Sequence, residues 1–206
     1  MLQAMATMQD EHNKHVHPDW RENGYEYYRA IWVECAEMLD HFGWKWWKKQ
    51  SPDIDQVKLE LVDIWHFALS EMLRADQLED SVATLLAGSK PVNNPAAEDF
   101  RLSIETLAES TLRTRSFVLA DFVDAMCKLP MTFGELYSLY VGKNVLNNFR
   151  QDHGYKDGSY QKLWGGREDN EHLVEALKSL EEKSLEEAGS FTPQDVYQAL
   201  EARYPE

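Results

Sequence analysis

Four carboxylates define the chemistry open to this chain. Glu34 and Glu37 stand three residues apart in one apolar stretch, and Glu60 and Asp63 stand three apart in the next. On a helix that spacing puts both side chains on one face about a turn apart, so each pair aims two carboxylates at one spot. Four like charges in a partly desolvated site repel strongly unless something neutralises them. A divalent cation is the obvious counter-charge. All-oxygen ligation without His or Cys suits a hard ion, Mg2+ or Mn2+, and Mg2+ is usually held by a few carboxylates together with substrate phosphates. A single E-x-x-E is an ordinary solvated helix face. Here both pairs lie among apolar residues (Trp32, Val33, Met38, Leu39; Leu61, Val62, Ile64, Trp65), where acids need a reason to be present. The pattern points to phosphate chemistry.

A second stripe is cationic. Lys143, Asn147 and Arg150 recur at i, i+4 and i+7, hence on one helix face, and Tyr155 follows the stop at Gly154. Arg as a bidentate donor and Lys as a point charge suit a phosphate chain, although basic residues near a helix C-terminus also satisfy the macrodipole. The Gly-rich and aromatic-rich loop that follows carries Lys162 and lacks Walker spacing, so it reads as a phosphate-covering segment rather than a P-loop. Gln9 and Asn13, four apart, present amides that both donate and accept. His66 and Phe67 lie beside the second acidic pair and read as pocket residues; no second His is spaced for a transition-metal site. Trp44, Trp46 and Trp47 follow the first acidic helix and suit stacking on a base. Two of the three are expected in the core.

The elements that must position these residues are helices. The periodicity predicts them at about 2–16, 26–42, 53–75, 95–113, 116–128, 132–151, 170–187 and 193–203. Pro52 in a short linker favours folding the second acidic helix back antiparallel on the first. Asp53 or Asp55, Asn94-Pro95, Thr132-x-x-Glu135 and Thr192-Pro193 read as helix starts. One all-α domain over 1–206 is expected: acidic helices at about 26–75, a middle section at about 76–130 reading as a lobe able to move, and a phosphate-binding helix and loop at about 132–170. The last two helices are assigned no chemistry.

Composition removes several classes. Twenty-one Lys and Arg against 36 Asp and Glu give a net charge of -15, which argues against a broad nucleic-acid surface. No apolar run suits a membrane span and Met1–Asp10 lacks the regions of a signal peptide, so a cytoplasmic protein without membrane association is expected. Cys35 and Cys127 have no metal or redox spacing and read as reduced thiols.

The segments ECAEMLDHFGWKWWK, ELVDIWHF and YVGKNVLNNFRQDHGYKDGSYQKLWGGREDN resemble the dimeric all-α dUTPases of the all-α NTP pyrophosphatase superfamily. With the Gln9–Asn13 element, the resemblance covers most of residues 8–170. It implies a helical bundle and a homodimer that hydrolyses dUTP, and dUDP as well, to dUMP, lowering dUTP and supplying dUMP for thymidylate synthesis. Glu34, Glu37, Glu60 and Asp63 would hold two or three Mg2+ ions, with Mn2+ as a substitute. Glu34, or else Glu37, would be the base for the attacking water, with attack associated in this family with the β-phosphorus. Lys143, Asn147, Arg150, Tyr155 and Lys162 would meet the phosphates. Gln9 and Asn13 would read uracil, Trp44 or Trp47 would contact the base, and His66 and Phe67 would pack on the sugar. The family often has another residue where this chain has Trp46. Two alternatives stand beside this reading: a pyrophosphatase acting on dCTP or modified nucleotides, and a nucleotide-sensing, partner-binding protein on the same scaffold.

Overall fold

The computed structural model describes residues 1–187 and 191–205. The chain divides into two compact units, 1–140 and 141–206. The first contains α1 (Leu2–Val16), α2 (Tyr27–Phe42), α3 (Ile54–Arg74), α4 (Asp80–Gly88), α5 (Ala97–Thr114), α6 (Leu119–Lys128) and the start of α7 (Phe133–Asp152). α3 is its centre. Apolar on nearly every side, it buries Val57, Leu61, Val62, Ile64, Trp65, Ala68 and Leu69, as such a helix must to remove that surface from water. α2 and α1 pack on it. Asp53 caps α3 by accepting from the Gln56 amide at 3.2 Å, and the Asp53 amide donates to the His41 carbonyl at 3.0 Å. That bond brings the end of α2 to the start of α3, so the acidic helices fold back on each other.

Residues 76–130, read from the sequence as a middle lobe able to move, contribute buried side chains to this core. Trp65 stacks on Phe122 (5.1 Å between centroids) and Phe42 meets Phe100 edge-on (4.7 Å). Aromatic burial of this kind joins the middle helices to α2 and α3. α4 falls where the periodicity weakens and was not expected. α5 starts at Ala97, two residues later than Pro95 suggested, because Asn94 turns left-handed (φ 49°) and Asp99 caps the Ala96 amide. The capping box before α7 is half formed. Thr132 accepts from the Glu135 amide (3.1 Å), whereas the Glu135 carboxylate pairs with Lys58.

The second unit contains the rest of α7, a two-residue hairpin β1 (Leu163–Trp164) and β2 (Arg167–Glu168), α8 (Asp169–Glu187) and α9 (Pro193–Glu201). The strands pair antiparallel, Leu163 with Glu168 and Trp164 with Arg167. Gly165 and Gly166 make their two-residue turn with φ of 59° and 86°, the positive values such a turn demands. Within the Gly-rich loop read as a phosphate-covering segment, a hairpin carries the chain into α8. Thr192 caps α9 in a full capping box with Asp195.

Candidate functional site

The carboxylates converge. Ligand oxygens of Glu34, Glu37 and Glu60 all lie within 4.8 Å of one another. Asp63 stands outside that mutual set, but its charge acts on Glu34. Burial is the largest influence on Glu34, followed by the Asp63 charge, a hydrogen bond with Glu60 and the charges of Glu60 and Glu37; together they push its carboxyl up to about 9. Burial first, and then the crowding of like charge, keeps that carboxyl protonated at neutral pH, and a cation would relieve the crowding. Oxygen donors alone, close together and partly buried, fit a hard divalent ion. His41 was missed by sequence reasoning. Its Nε2 lies 3.5 Å from Glu60 Oε1, and the available signal was its position one turn beyond Glu37.

At the other end of α3 a buried amide network forms. Gln9 is only 3% exposed. Its Nε2 donates to Asn13 Oδ1 (3.0 Å) and to Ser70 Oγ (3.1 Å). Its Oε1 accepts from Tyr140 Oη (2.8 Å) and lies 2.7 Å from His66 Nδ1. Asn13 Nδ2 donates to Ser70 Oγ (2.9 Å). His66 is buried and stacks on Tyr140 (4.3 Å), while Phe67 is half-buried against the core. The structure thus joins Gln9, Asn13 and His66 directly and adds Ser70 and Tyr140, whose distance in sequence hid them.

The tryptophans correct an expectation. Trp44, Trp46 and Trp47 are all exposed, Trp46 at 89%, so none of the three is core. Residues 43–50 lie outside any helix. Gln50 Oε1 accepts from the Trp44 and Lys45 amides (3.1 and 2.8 Å), Asp40 accepts from Trp44 Nε1 (3.1 Å), and Arg101 holds the Gly43 carbonyl (2.9 Å). These bonds fix the backbone inward and turn the rings outward. Trp47 meets Trp44 and Trp46 edge-on at 5.2 and 5.4 Å. Trp44 and Trp46 line a cleft of about 490 Å³ with Lys45, Lys48 and Arg101, and none of the four acids lines it.

The cationic stripe lies in the second unit, where it meets residues to which sequence reasoning gave no chemistry. Arg150 grips Asp169 with two bonds, Nε to Oδ2 (2.8 Å) and Nη2 to Oδ1 (2.9 Å), and donates to Asn147 Oδ1 (3.1 Å). Lys143 is buried and donates to Asn170 Oδ1 at 2.7 Å. Tyr160 donates to Asp169 Oδ2 at 2.8 Å. Burial opposes ionisation of Asp169, yet Arg150, Tyr160 and Lys143 hold its carboxyl below the usual range. The Arg150 guanidinium lies 5.8 Å from the exposed Tyr155 ring. Lys162 pairs with Glu168 at 3.3 Å on the surface. Asp169 and Arg150 are 19 residues apart, beyond the reach of helical spacing, so the sequence carries no local signal of the pair.

Asp169 has no exposed surface, so Asp169→Ala is expected to cost about 3–5 kcal/mol, the scale for removing one partner of a buried ion pair. Thermal unfolding of the two proteins measures it.

A family model described as dUTPase matches residues 1–155. Among curated proteins no match is found.

Proposed function

The chain belongs to the dUTPase family and is a dUTP diphosphatase, and we propose that its clustered carboxylates are the centre at which the phosphate chain is cut. One observation carries this reading: Glu34, Glu37 and Glu60 crowd within 4.8 Å, with Asp63 acting on the same carboxyl. The proposed ion is Mg2+, two or three per site, with Mn2+ as a substitute. When bound, Mg2+ supplies neutralising charge and water of lowered pKa. Glu34, with Glu37 beside it, accepts the proton of the attacking water. In the free protein the Glu34 carboxyl holds its own proton, which bound cations would have to displace before it could act as a base.

Arg150 and Lys143 are the proposed partners of the phosphates, with Asn147, Tyr155 and Lys162. Cations placed where negative charge gathers on the leaving group favour the transition state over the ground state. Asn13 is the proposed reader of uracil, joined by Gln9. Trp44 or Trp47 is the proposed contact for the base face, and His66 and Phe67 for the sugar. Hydrolysis of dUDP, a homodimer and a cytoplasmic location belong to the same proposal. The free thiols Cys35 and Cys127 and the absence, among the described residues, of a helix long and apolar enough to cross a membrane are compatible with it.

Turnover of dUTP, dCTP, dTTP and UTP side by side tests the substrate. The expected result is dUTP strongly preferred; equal or faster hydrolysis of dCTP would favour the related pyrophosphatase reading.

A further inference from the structure

The loop that follows α7 carries two of the proposed phosphate contacts, and from Tyr155 to Lys162 only Tyr160 is buried. Exposed segments with few packed side chains open easily unless something holds them. The first turn of this loop holds itself: the Tyr155 amide donates to the Arg150 carbonyl (2.9 Å) and the Ser159 amide to the Gly154 carbonyl (3.0 Å). The next two residues, Tyr160 and Gln161, are gripped from outside by Tyr204.

Tyr204 follows α9 and is held by it. Its amide donates to the Leu200 carbonyl (3.0 Å), Val196 and Leu200 are fully buried, and Tyr197 Oη donates to Asp152 Oδ2 at the end of α7 (3.1 Å). From this anchored position the Tyr204 ring stacks on Tyr160, 13° from parallel with 5.5 Å between centroids, and stands edge-on to Trp164 (5.4 Å) and Phe149 (5.3 Å). Its Oη accepts from the Gln161 amide at 3.1 Å. One side chain thus combines ring packing with a hydrogen bond to the loop backbone.

The grip reaches the cations through Tyr160. Its hydroxyl donates to Asp169 Oδ2, the oxygen that also accepts from Arg150 Nε, and its ring tilts against Tyr155 at 5.8 Å, the ring on which Arg150 lies. A Tyr160 ring held against Tyr204 keeps that hydroxyl aimed, and the carboxylate it meets keeps the guanidinium in place. Taking Arg150, Tyr155 and Lys162 as the phosphate contacts proposed above, we infer that Tyr204 is a positioning residue for the phosphate chain, clamping the loop so that phosphate, but not the nucleoside, is held more tightly. A binding group works only when its own rotamer and backbone are fixed by the residues behind it. Tyr204 touches no substrate and acts through the loop.

The test measures KM for dUTP and the inhibition constants of inorganic pyrophosphate and of deoxyuridine in the parent protein, Tyr204→Phe, Tyr204→Ala and Lys162→Ala. Phe keeps the ring and removes the hydroxyl; Ala removes both. The expected result is a KM and a pyrophosphate constant raised about threefold in Tyr204→Phe and about tenfold in Tyr204→Ala, the scale of one lost hydrogen bond and then of the ring packing as well, with the deoxyuridine constant unmoved. A residue that served the fold alone would lower the active fraction, which scales kcat and leaves KM and both inhibition constants in place. If Tyr204→Ala does not fold, Tyr204→Phe carries the comparison alone. Parent-like constants in the Tyr204 variants, with a raised pyrophosphate constant in Lys162→Ala, overturn the clamp and leave the phosphate contacts standing. Deoxyuridine weakened in step with pyrophosphate also overturns it. Constants unmoved in every variant, Lys162→Ala included, overturn the phosphate contacts themselves.

Discussion

Glu60→Gln and Asp63→Asn are each expected to lower kcat/KM for dUTP by about a thousandfold or more while the protein stays folded. A thousandfold is about 4 kcal/mol of transition-state stabilisation, a reasonable cost for removing one anionic ligand from a site whose chemistry depends on held cations. The surviving fold is the informative half. Most substitutions at buried positions destabilise, and Glu60 is 4% exposed. Its neutralisation, however, removes one of several crowded negative charges, and the amide keeps the volume. Steady-state assays with saturating Mg2+ and melting curves without it measure the two effects. Turnover near the parent's would reject the metal assignment.

Glu34→Gln carries the second large effect, on stability and its dependence on pH. Because the folded-state carboxyl is raised to about 9 from an ordinary value of 4.5, the folded protein binds more protons than the unfolded chain between those values. The stability this group contributes is therefore fully present below pH 4.5 and is lost as the pH rises toward 9. In the metal-free protein at pH 9, Glu34→Gln is expected to unfold several degrees higher than its parent. The difference corresponds to a few kcal/mol, since each tenfold gap in proton affinity between the folded and unfolded chain is worth about 1.4 kcal/mol. At pH 5 the two curves should nearly coincide. Adding Mg2+ should raise the parent's melting temperature most at high pH, and a chelator should reverse it; a parent and variant with parallel profiles would mean that the acid cluster exerts no such repulsion. Activity of Glu34→Gln is expected to vanish with the lost base, so the same substitution separates stability from catalysis.

Much of the first unit was legible because its determinants are local. Spacing of three puts Glu34 with Glu37 and Glu60 with Asp63, and the apolar surround of α3 forecasts a central buried helix. The caps at Asp53 and Thr192 likewise need only three neighbouring residues. What escaped depends on distance along the chain. Asp169 meets Arg150, Ser70 meets Gln9 and Asn13, and Tyr140 meets Gln9 from 131 residues away. Periodicity carries no information about such pairs. The tryptophans failed for another reason. Composition places large apolar rings inside on average, but the Gln50 and Arg101 side chains hold a short loop in a path that faces the rings outward. The weak pattern over 76–94 suggests a middle lobe, and Trp65 against Phe122 is one place where the helices after it attach to α3.

The outward rings have an optical consequence. Of the seven tryptophans, Trp20, Trp65 and Trp164 are sealed from water, whereas Trp32, Trp44, Trp46 and Trp47 are open to it. Ultraviolet emission from this chain is thus a sum of a short-wavelength, quencher-resistant population and a long-wavelength one within reach of iodide or acrylamide. Three of the four accessible indoles sit on one loop, so whatever settles there dims the red edge of the spectrum first, without any attached dye.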